Sequence, residues 1–323
     1  MRYGLLIVGV CGVLLSHAAG VDDVRGAVAP GAYLFSYFIG NGEDGLHLAA
    51  SRDGLTWEAL NGGQSFLKPE VGGKLMRDPC LCQGPDGTFH LVWTSSWGEQ
   101  GIGLAHSKDL VTWSPQQFVP VMAHEPGAMN AWAPEILYDA GARQFVIYWS
   151  STIKDRFPET IAAGGDRIGK TGVICNHRIY YTTTRDFTNF APTALLYDPG
   201  FNCIDATIVP AAGRWVMFVK DETKAPVAKK HIRVAWADRP TGPWGAAGPA
   251  ISPDWVEGPT ALPVAGEWLL YYDAYTRHRF EGLRSADLQT WAPLDAALSF
   301  PKGIRHGTAL SVPASVIEHL RTR

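Results

Sequence analysis

The chain has 323 residues, of which 46% are hydrophobic and 18% charged, and its formal net charge at pH 7 is -3. This length can bury a large core, and the composition excludes disordered, collagen-like and coiled-coil chains. Because there is no excess of basic residues, we expect neither nucleic acid nor membrane as a partner. The count of 12 Trp residues is high and needs a separate explanation.

The first 20 residues have the pattern of a secretory signal peptide. Arg2 precedes an apolar run over residues 5–15, and small residues follow at 18–20. The run is about half of the ~20 residues that cross a bilayer as a helix. We therefore predict that residues 1–20 are removed and that residues 21–323 form a single domain of a secreted protein, either periplasmic or extracellular.

Four cysteines would remain after this cleavage: Cys80, Cys82, Cys175 and Cys203. An oxidising compartment permits disulfides, and a pair of Cys175 with Cys203 is conceivable. Four cysteines allow three pairings, however, and the sequence does not choose among them. There is no CxxC pair to suggest a zinc site.

A short turn pattern recurs along the chain: Ser or Thr, any residue, Asp, three residues, then an aromatic residue. It occurs at 51–57, 107–113, 184–190 and 285–291, with a degenerate copy at 238–244. Ser and Asp side chains can bond to the backbone of a tight turn, and a short alternating strand precedes each copy. Before these strands, hairpin turns that contain Gly predict further strands. Five such units predict a β-propeller with four-stranded blades.

The two chain ends predict how the ring closes. Residues 31–57 supply middle and outer strands without an inner strand, whereas residues 305–312 supply an inner strand alone. We therefore predict an all-β, five-bladed β-propeller whose closing blade is shared between the N- and C-terminal segments, which leaves no open edge between blades. A β-sandwich is the alternative, but it gives no reason for five copies of one turn.

Carboxylates lie where four of the inner strands are expected to begin. The motifs are Arg77-Asp78-Pro79, Trp132-Ala133-Pro134-Glu135, Ile204-Asp205-Ala206 and Glu257-Gly258-Pro259, and the fifth strand begins with Arg305-His306-Gly307. Because inner strands line the propeller axis, these groups should converge on one pocket. Repulsion and partial burial there would separate the pKa values of the carboxyls, as acid and base catalysis requires.

The order and spacing of these motifs resemble glycoside hydrolase family 43, from about Ala32 to Val312. The resemblance implies a glycosidase on a five-bladed propeller, with Asp78 in the place of the general base and Glu257 in the place of the general acid. It places Asp205 where the family has the aspartate that orients the acid and modulates its pKa. It also implies that His306 lies at the centre, near a water or a calcium ion, with no cofactor required.

Two carboxyl groups ~6.5–9.5 Å apart leave room for an attacking water and give inversion. We expect Arg77 to help keep Asp78 ionised, and an ionised Asp205 to raise the pKa of Glu257 so that Glu257 carries a proton. The substrate would be a carbohydrate of the plant polysaccharide type, and the protein a monomer.

Five residues are candidates for binding the sugar: Trp132, Glu135, Trp97, Arg279 and His306. We expect the Trp132 indole to stack on a sugar ring and Glu135 to bond hydroxyls at the mouth, although blade packing and pairing with an Arg would explain them equally well. The insertion over residues 153–175 is expected to form a rim loop at the entrance.

Two other functions are open alternatives. A retaining enzyme related to fructoside hydrolases would share Arg77-Asp78-Pro79, but the sequence lacks the Asn-Asp-Pro and Glu-Cys motifs that it needs, since Ile136 follows Glu135. A non-catalytic carbohydrate-binding propeller would not need acids at all three catalytic positions. Within the resemblance we favour an α-L-arabinofuranosidase or a β-xylosidase.

Overall fold

The computed structural model describes residues 1, 32–211, 213–294 and 298–322. The predicted signal peptide, residues 1–20, therefore lies outside the described residues except for Met1. The described strands form five small antiparallel sheets, the blades of a β-propeller, which confirms the predicted fold class.

The strands of each blade run from the inner to the outer edge. The closing blade contains β1 (Tyr33–Tyr37), β2 (His47–Ser51) and β3 (Glu58–Ala59). Blade 1 contains β4 (Arg77–Gln83), β5 (Phe89–Thr94), β6 (Ile102–Ser107) and β7 (Gln117–Val119). Blade 2 contains β8 (Trp132–Asp139), β9 (Gln144–Thr152), β10 (His177–Thr184) and β11 (Ala194–Tyr197). Blade 3 contains β12 (Cys203–Ala211), β13 (Arg214–Asp221) and β14 (His231–Ala237). Blade 4 contains β15 (Glu257–Val264), β16 (Glu267–Ala274), β17 (Arg279–Ser285) and β18 (Ala292–Pro293).

The closing blade receives its inner strand from the C-terminal segment. Strand β19 (Thr308–Ser311) pairs with β1, with Ala309 opposite Phe35, and β1 pairs in turn with β2. The predicted sharing of this blade between the two ends is thus confirmed. The pairing joins the first described strand to the last and leaves no open edge at this point of the ring.

The recurring turn pattern forms the turns that the sequence predicts. In the first copy the Ser51 Oγ accepts a hydrogen bond from the backbone N–H of Gly54 at 2.9 Å, and Asp53 Oδ1 accepts from Leu55 and Thr56 at 2.8 Å. The copies at 107–113, 184–190 and 285–291 make the same contacts. Local side-chain chemistry therefore sets these turns.

Blade 3 departs from the predicted four strands, because the described part of this blade contains three. Residues 245–251 run beside β14 in place of an outer strand, with backbone hydrogen bonds from Gly245 to Trp236 and from Ile251 to Ile232. Pro249 lies in this segment, after Pro240 and Pro243 of the degenerate turn, and proline has no N–H to continue a ladder.

The core consists of apolar clusters between blades. Trp93 and Trp149 are fully buried, and Trp57 stacks on Phe300 with ring centroids 5.8 Å apart. Nine tryptophans belong to these clusters: Trp57, Trp93, Trp113, Trp149, Trp215, Trp236, Trp244, Trp268 and Trp291. Most of the high tryptophan count is therefore blade packing, which leaves three for other roles.

The helices are short. Helix α1 (Pro158–Ile161) lies in the insertion of blade 2, and α2 (Ala314–Arg321) packs Ile317 and Leu320 into the core at the end of the chain. No helix within the described ranges is long and apolar enough to cross a membrane. All four cysteines at 80, 82, 175 and 203 are free thiols, so the conceivable disulfide between Cys175 and Cys203 is not formed.

Candidate active site

Four inner strands begin with the same backbone distortion. The pairing register shifts by a residue at the start of β4, β8, β12 and β15. At each shift one residue has a positive φ: Asp78 at 51°, Ala133 at 45°, Asp205 at 53° and Gly258 at 58°. Bulges of this kind redirect side chains, and a strained backbone at such positions is typical of functional sites. Each distortion lies within one of the four carboxylate motifs.

The four carboxylates hold different positions relative to these bulges. Asp78 and Asp205 occupy the bulge itself, Glu257 stands one residue before it, and Glu135 stands two residues after it. Glu135 is only 6% exposed, and its Oε2 accepts a hydrogen bond from the Tyr148 hydroxyl at 2.7 Å. This position does not support the expectation that Glu135 bonds sugar hydroxyls at the mouth, because its carboxyl is buried against Tyr148.

A cavity of about 590 Å³ opens at the heads of the inner strands. It brings together most of the residues that the sequence singled out, with several that it did not. The charged and aromatic lining residues are Arg77, Asp78, Trp97, Trp132, Asp166, Arg167, His177, Asp205, Lys220, Glu222, Glu257, Arg305 and His306.

Arg279 is not among the lining residues. It lies exposed at the start of β17, and its guanidinium pairs with Glu281 at 2.8 Å. The prediction that Arg279 binds substrate is therefore not supported by its position. Trp255 is likewise exposed and lies outside the cavity lining.

Asp78 is held by two neighbours. Its Oδ2 accepts a hydrogen bond from Thr94 Oγ1 at 2.8 Å, and its Oδ1 lies 3.3 Å from His306 Nδ1. Burial alone would raise the pKa of Asp78, but the hydrogen bond and charge of His306, the charge of Arg77 and the Thr94 hydroxyl lower it to about 2. Asp78 is thus ionised at any ordinary pH, as a general base requires.

His306 lies at the centre of the acidic residues. Burial would lower its pKa, yet the carboxylates of Asp78, Asp205 and Glu257 raise it to about 9. A protonated imidazole donates hydrogen bonds and cannot ligate a metal. Among the described residues no group of three or more His, Cys, Asp and Glu side chains could hold a metal ion. The water or calcium ion expected near His306 stays a prediction.

Asp205 and Glu257 interact through their charges, and their proton affinities are the reverse of those that we expected. Burial, with the charges of Glu257 and Asp78, raises the pKa of Asp205 to about 6. Burial would also raise the pKa of Glu257, but the charges of Lys220 and Arg305 lower it. In the free site Asp205 therefore takes up the proton more readily than Glu257. The Asp205 carboxylate also accepts a hydrogen bond from the Gly258 N–H at 3.2 Å, which ties the two strand heads together.

Sequence reasoning missed the cations that hold Glu257. Arg305 Nη2 lies 2.8 Å from Glu257 Oε1, and Lys220 Nζ lies 3.3 Å from Oε2. The sequence contained a signal for these residues, because the last residues of the middle strands pair with the first residues of the inner strands. Thr94 pairs with Arg77, and Lys220 pairs with Ile204 next to Asp205. A polar residue at the end of an apolar middle strand thus points to the site.

Two tryptophans form one wall of the cavity. The Trp132 indole N–H donates to the Trp97 carbonyl at 3.1 Å, and their rings meet edge to face with centroids 5.5 Å apart. Arg77 lies over the Trp97 ring at 4.2 Å, while Trp97 remains 48% exposed. These contacts fix aromatic surface at the mouth, where stacking on a sugar ring stays a prediction.

The insertion over residues 153–175 also contributes to the cavity wall. Asp166, Arg167, Ile168, Gly169 and Cys175 all line the cavity. Asp166 forms an ion pair with Lys224, which anchors the insertion to blade 3. The predicted rim loop therefore does border the cavity.

Comparison with known proteins identifies a family and a curated relative. A family model described as "Probable glycosyl hydrolase domain", related to glycoside hydrolase family 43, matches residues 29–318. A curated α-L-arabinofuranosidase of Bifidobacterium longum subsp. longum is 24% identical over 186 residues, which are 53% of this chain and 17% of that protein. The chain thus spans about a sixth of the length of this relative.

Solved structures share the fold at low identity. A thermostable family-43 glycoside hydrolase superposes with a TM-score of 0.53 at 16% identity, over 75% of this chain and 80% of that one. An α-L-arabinofuranosidase from Lactobacillus brevis gives a TM-score of 0.51 at 18% identity, over 68% of this chain and 73% of that one.

Proposed function

Because the chain belongs to the family of glycosyl hydrolase domains related to glycoside hydrolase family 43, we propose that it hydrolyses O-glycosidic bonds with inversion of configuration. The observation that carries this proposal is the meeting of three acids of different proton affinity in one cavity: Asp78, Asp205 and Glu257. Such a separation of pKa values is what general acid and base catalysis at one pH needs.

Asp78 acts as the general base. Its carboxylate stays ionised, and the hydrogen bonds of Thr94 and His306 fix its orientation in the cavity. A water held between Asp78 and the anomeric carbon would lose its proton to this carboxylate as it attacks. His306, which is protonated, offsets the negative charge of the site before and during this step.

Glu257 acts as the general acid, together with Asp205. Below about pH 6 the pair holds one proton, which Asp205 binds more tightly while Glu257 is paired with Lys220 and Arg305. In the sugar complex the proton passes from Asp205 to Glu257, and Glu257 then delivers it to the leaving oxygen. The pair is then left with two negative charges, which Lys220 and Arg305 stabilise.

The proposed substrate is a terminal α-L-arabinofuranoside of a plant-type polysaccharide. The curated relative and one structural neighbour carry that activity in their names, and the insertion borders one side of the cavity, which favours an exo-acting enzyme. A β-xyloside is the second substrate to test. The N-terminal pattern of residues 1–20 supports export from the cytoplasm.

A screen against p-nitrophenyl α-L-arabinofuranoside, β-xyloside and β-galactoside tests the proposal. Asp78→Asn and Glu257→Gln should each lower kcat/KM by at least about 100-fold, the usual contribution of a general acid or base. Asp238→Asn removes an exposed carboxylate that pairs with Arg214 and serves as the matched control. Hydrolysis that survives in the two site variants would reject the assignment, and saccharide binding without hydrolysis would indicate a binding propeller.

A further inference from the structure

A buried series of opposite charges leads to the Glu257 carboxyl. Lys220 lies at the end of β13 and is 2% exposed, and its Nζ is 2.8 Å from Glu222 Oε2 and 3.3 Å from Glu257 Oε2. The other oxygen of Glu222 contacts Lys230, which is also buried. A buried ammonium without partners is costly, so the two carboxylates fix Lys220 in place.

We propose that Lys220 is a positioning residue for Glu257: held by Glu222 and Lys230, it fixes the Glu257 carboxyl at the head of β15 and governs when that carboxyl takes up a proton. This inference rests on the proposed hydrolytic function. The contact crosses from blade 3 to blade 4, so it also sets the position of Glu257 relative to Asp205 on the neighbouring inner strand.

Lys220 is better placed for this role than Arg305, the other cation on Glu257. Arg305 divides its charge between Glu257 and Asp273, whose Oδ2 lies 2.6 Å from Arg305 Nε, and its side chain is 33% exposed. Water screens the charge of an exposed side chain, whereas a charge without access to water acts on its neighbours with little screening.

Several other charged or titratable groups act on the same carboxyl. They come from the elements packed around it: Asp78 of β4, Asp205 of β12, Asp273 of β16, Arg305 and His306 before β19, and Tyr275 beyond the end of β16. Glu222, beyond the end of β13, acts on Lys220. The anions favour the protonated form of Glu257 and the cations favour the ionised form. Replacement of Lys220 removes one buried cation and leaves all the others.

Two variants should shift the site in opposite directions. Lys220→Met removes the cation, while Glu222 keeps Lys230 as its partner. The pKa of Glu257 should rise, and the alkaline limb of the pH dependence of kcat/KM should move up by about 1 unit or more. Glu222→Gln removes an anion that offsets Lys220, so the same limb should move down. Lys220→Arg keeps the charge and should restore a limb close to that of the wild type.

The experiment measures kcat/KM against pH for these variants, with folding checked by urea denaturation. Lys229→Met is the matched control, because Lys229 is an exposed lysine near the same buried cluster, 3.8 Å from Asp221. An unchanged limb in folded Lys220→Met, or shifts of the same sign in Lys220→Met and Glu222→Gln, would overturn the inference. If Lys220→Met does not fold, a downward shift in Glu222→Gln supports the inference and its absence overturns it.

A substrate-free readout separates this inference from the proposed function. Carbon-13 NMR titration of the Glu257 carboxyl, assigned by its absence in E257Q, should give the same opposite shifts. A wild-type protein that hydrolyses nothing would reject the proposed function alone. A Glu257 titration unaffected by Lys220→Met would reject the inference alone.

Discussion

Replacement of Glu135 by Gln should remove a pH dependence from the stability of the fold. The carboxyl is buried between inner strands and accepts a hydrogen bond from Tyr148. Burial raises its pKa to about 7 from an ordinary value of 4.5, against the effect of the hydrogen bonds. The folded protein thus keeps a proton that the unfolded chain loses near pH 4.5.

The sign and size of the effect follow from this difference. Between about pH 4.5 and 7 the folded state binds more protons at Glu135 than the unfolded state, so stability falls as the pH rises. A difference of about 2.5 units, at about 1.36 kcal/mol each, corresponds to about 3 kcal/mol of unfolding free energy. In the Gln variant this contribution is absent, and the amide oxygen can still accept the Tyr148 hydrogen bond.

Urea unfolding near pH 4 and pH 8 measures the effect. The wild type should lose up to about 3 kcal/mol more than Glu135→Gln between the two conditions. Glu267→Gln, at an exposed position at the start of β16, is the matched control and should behave as the wild type. An equal loss in wild type and Glu135→Gln would refute the buried, protonated state inferred for Glu135.

Three further predictions concern the cavity. The value of kcat/KM should fall as the pH rises through about 6, where Asp205 loses the proton of the acid pair; a rate that still increases from about pH 6 to 8 would contradict this. Gly258→Ala should lower the unfolding free energy by roughly 1–3 kcal/mol in a urea titration, because φ is +58° and a Cβ would lie 2.4 Å from His306 Cγ. Gly266→Ala, with φ +88° and no atom within 4 Å of the added Cβ, should cost less, and an equal cost would count against the close packing at Gly258. Trp97→Ala should raise KM more than it lowers kcat, and an unchanged KM would exclude Trp97 from sugar binding.

The repeat architecture was predictable because its signals are local. Ser51 and Asp53 fix their turn through contacts within a few residues, so each copy of the pattern identifies a blade edge without knowledge of the rest of the chain. The closing blade could be inferred because one end lacked an inner strand and the other supplied one. The pairing of β19 with β1 confirms this inference.

The details of the site were less predictable because they depend on contacts between distant residues. A carboxylate two residues beyond a bulge and one within it look alike in sequence, yet the first is buried against Tyr148 and the second, Asp78, enters the cavity. The contact between Lys220 and Glu257 joins residues from two blades. In the described part of blade 3, residues 245–251 take the place of an outer strand, and the degenerate turn was the only sequence signal of this difference.

The stereochemistry of hydrolysis shows directly whether a water activated by Asp78 attacks the sugar. Proton NMR of the reaction with p-nitrophenyl α-L-arabinofuranoside or β-xyloside, recorded before mutarotation, identifies the anomer that is first released. With Asp78 as the base that activates water and Glu257 in the acid pair, we expect the inverted anomer from the wild-type protein and none from Asp78→Asn. Release of the retained anomer would contradict the mechanism.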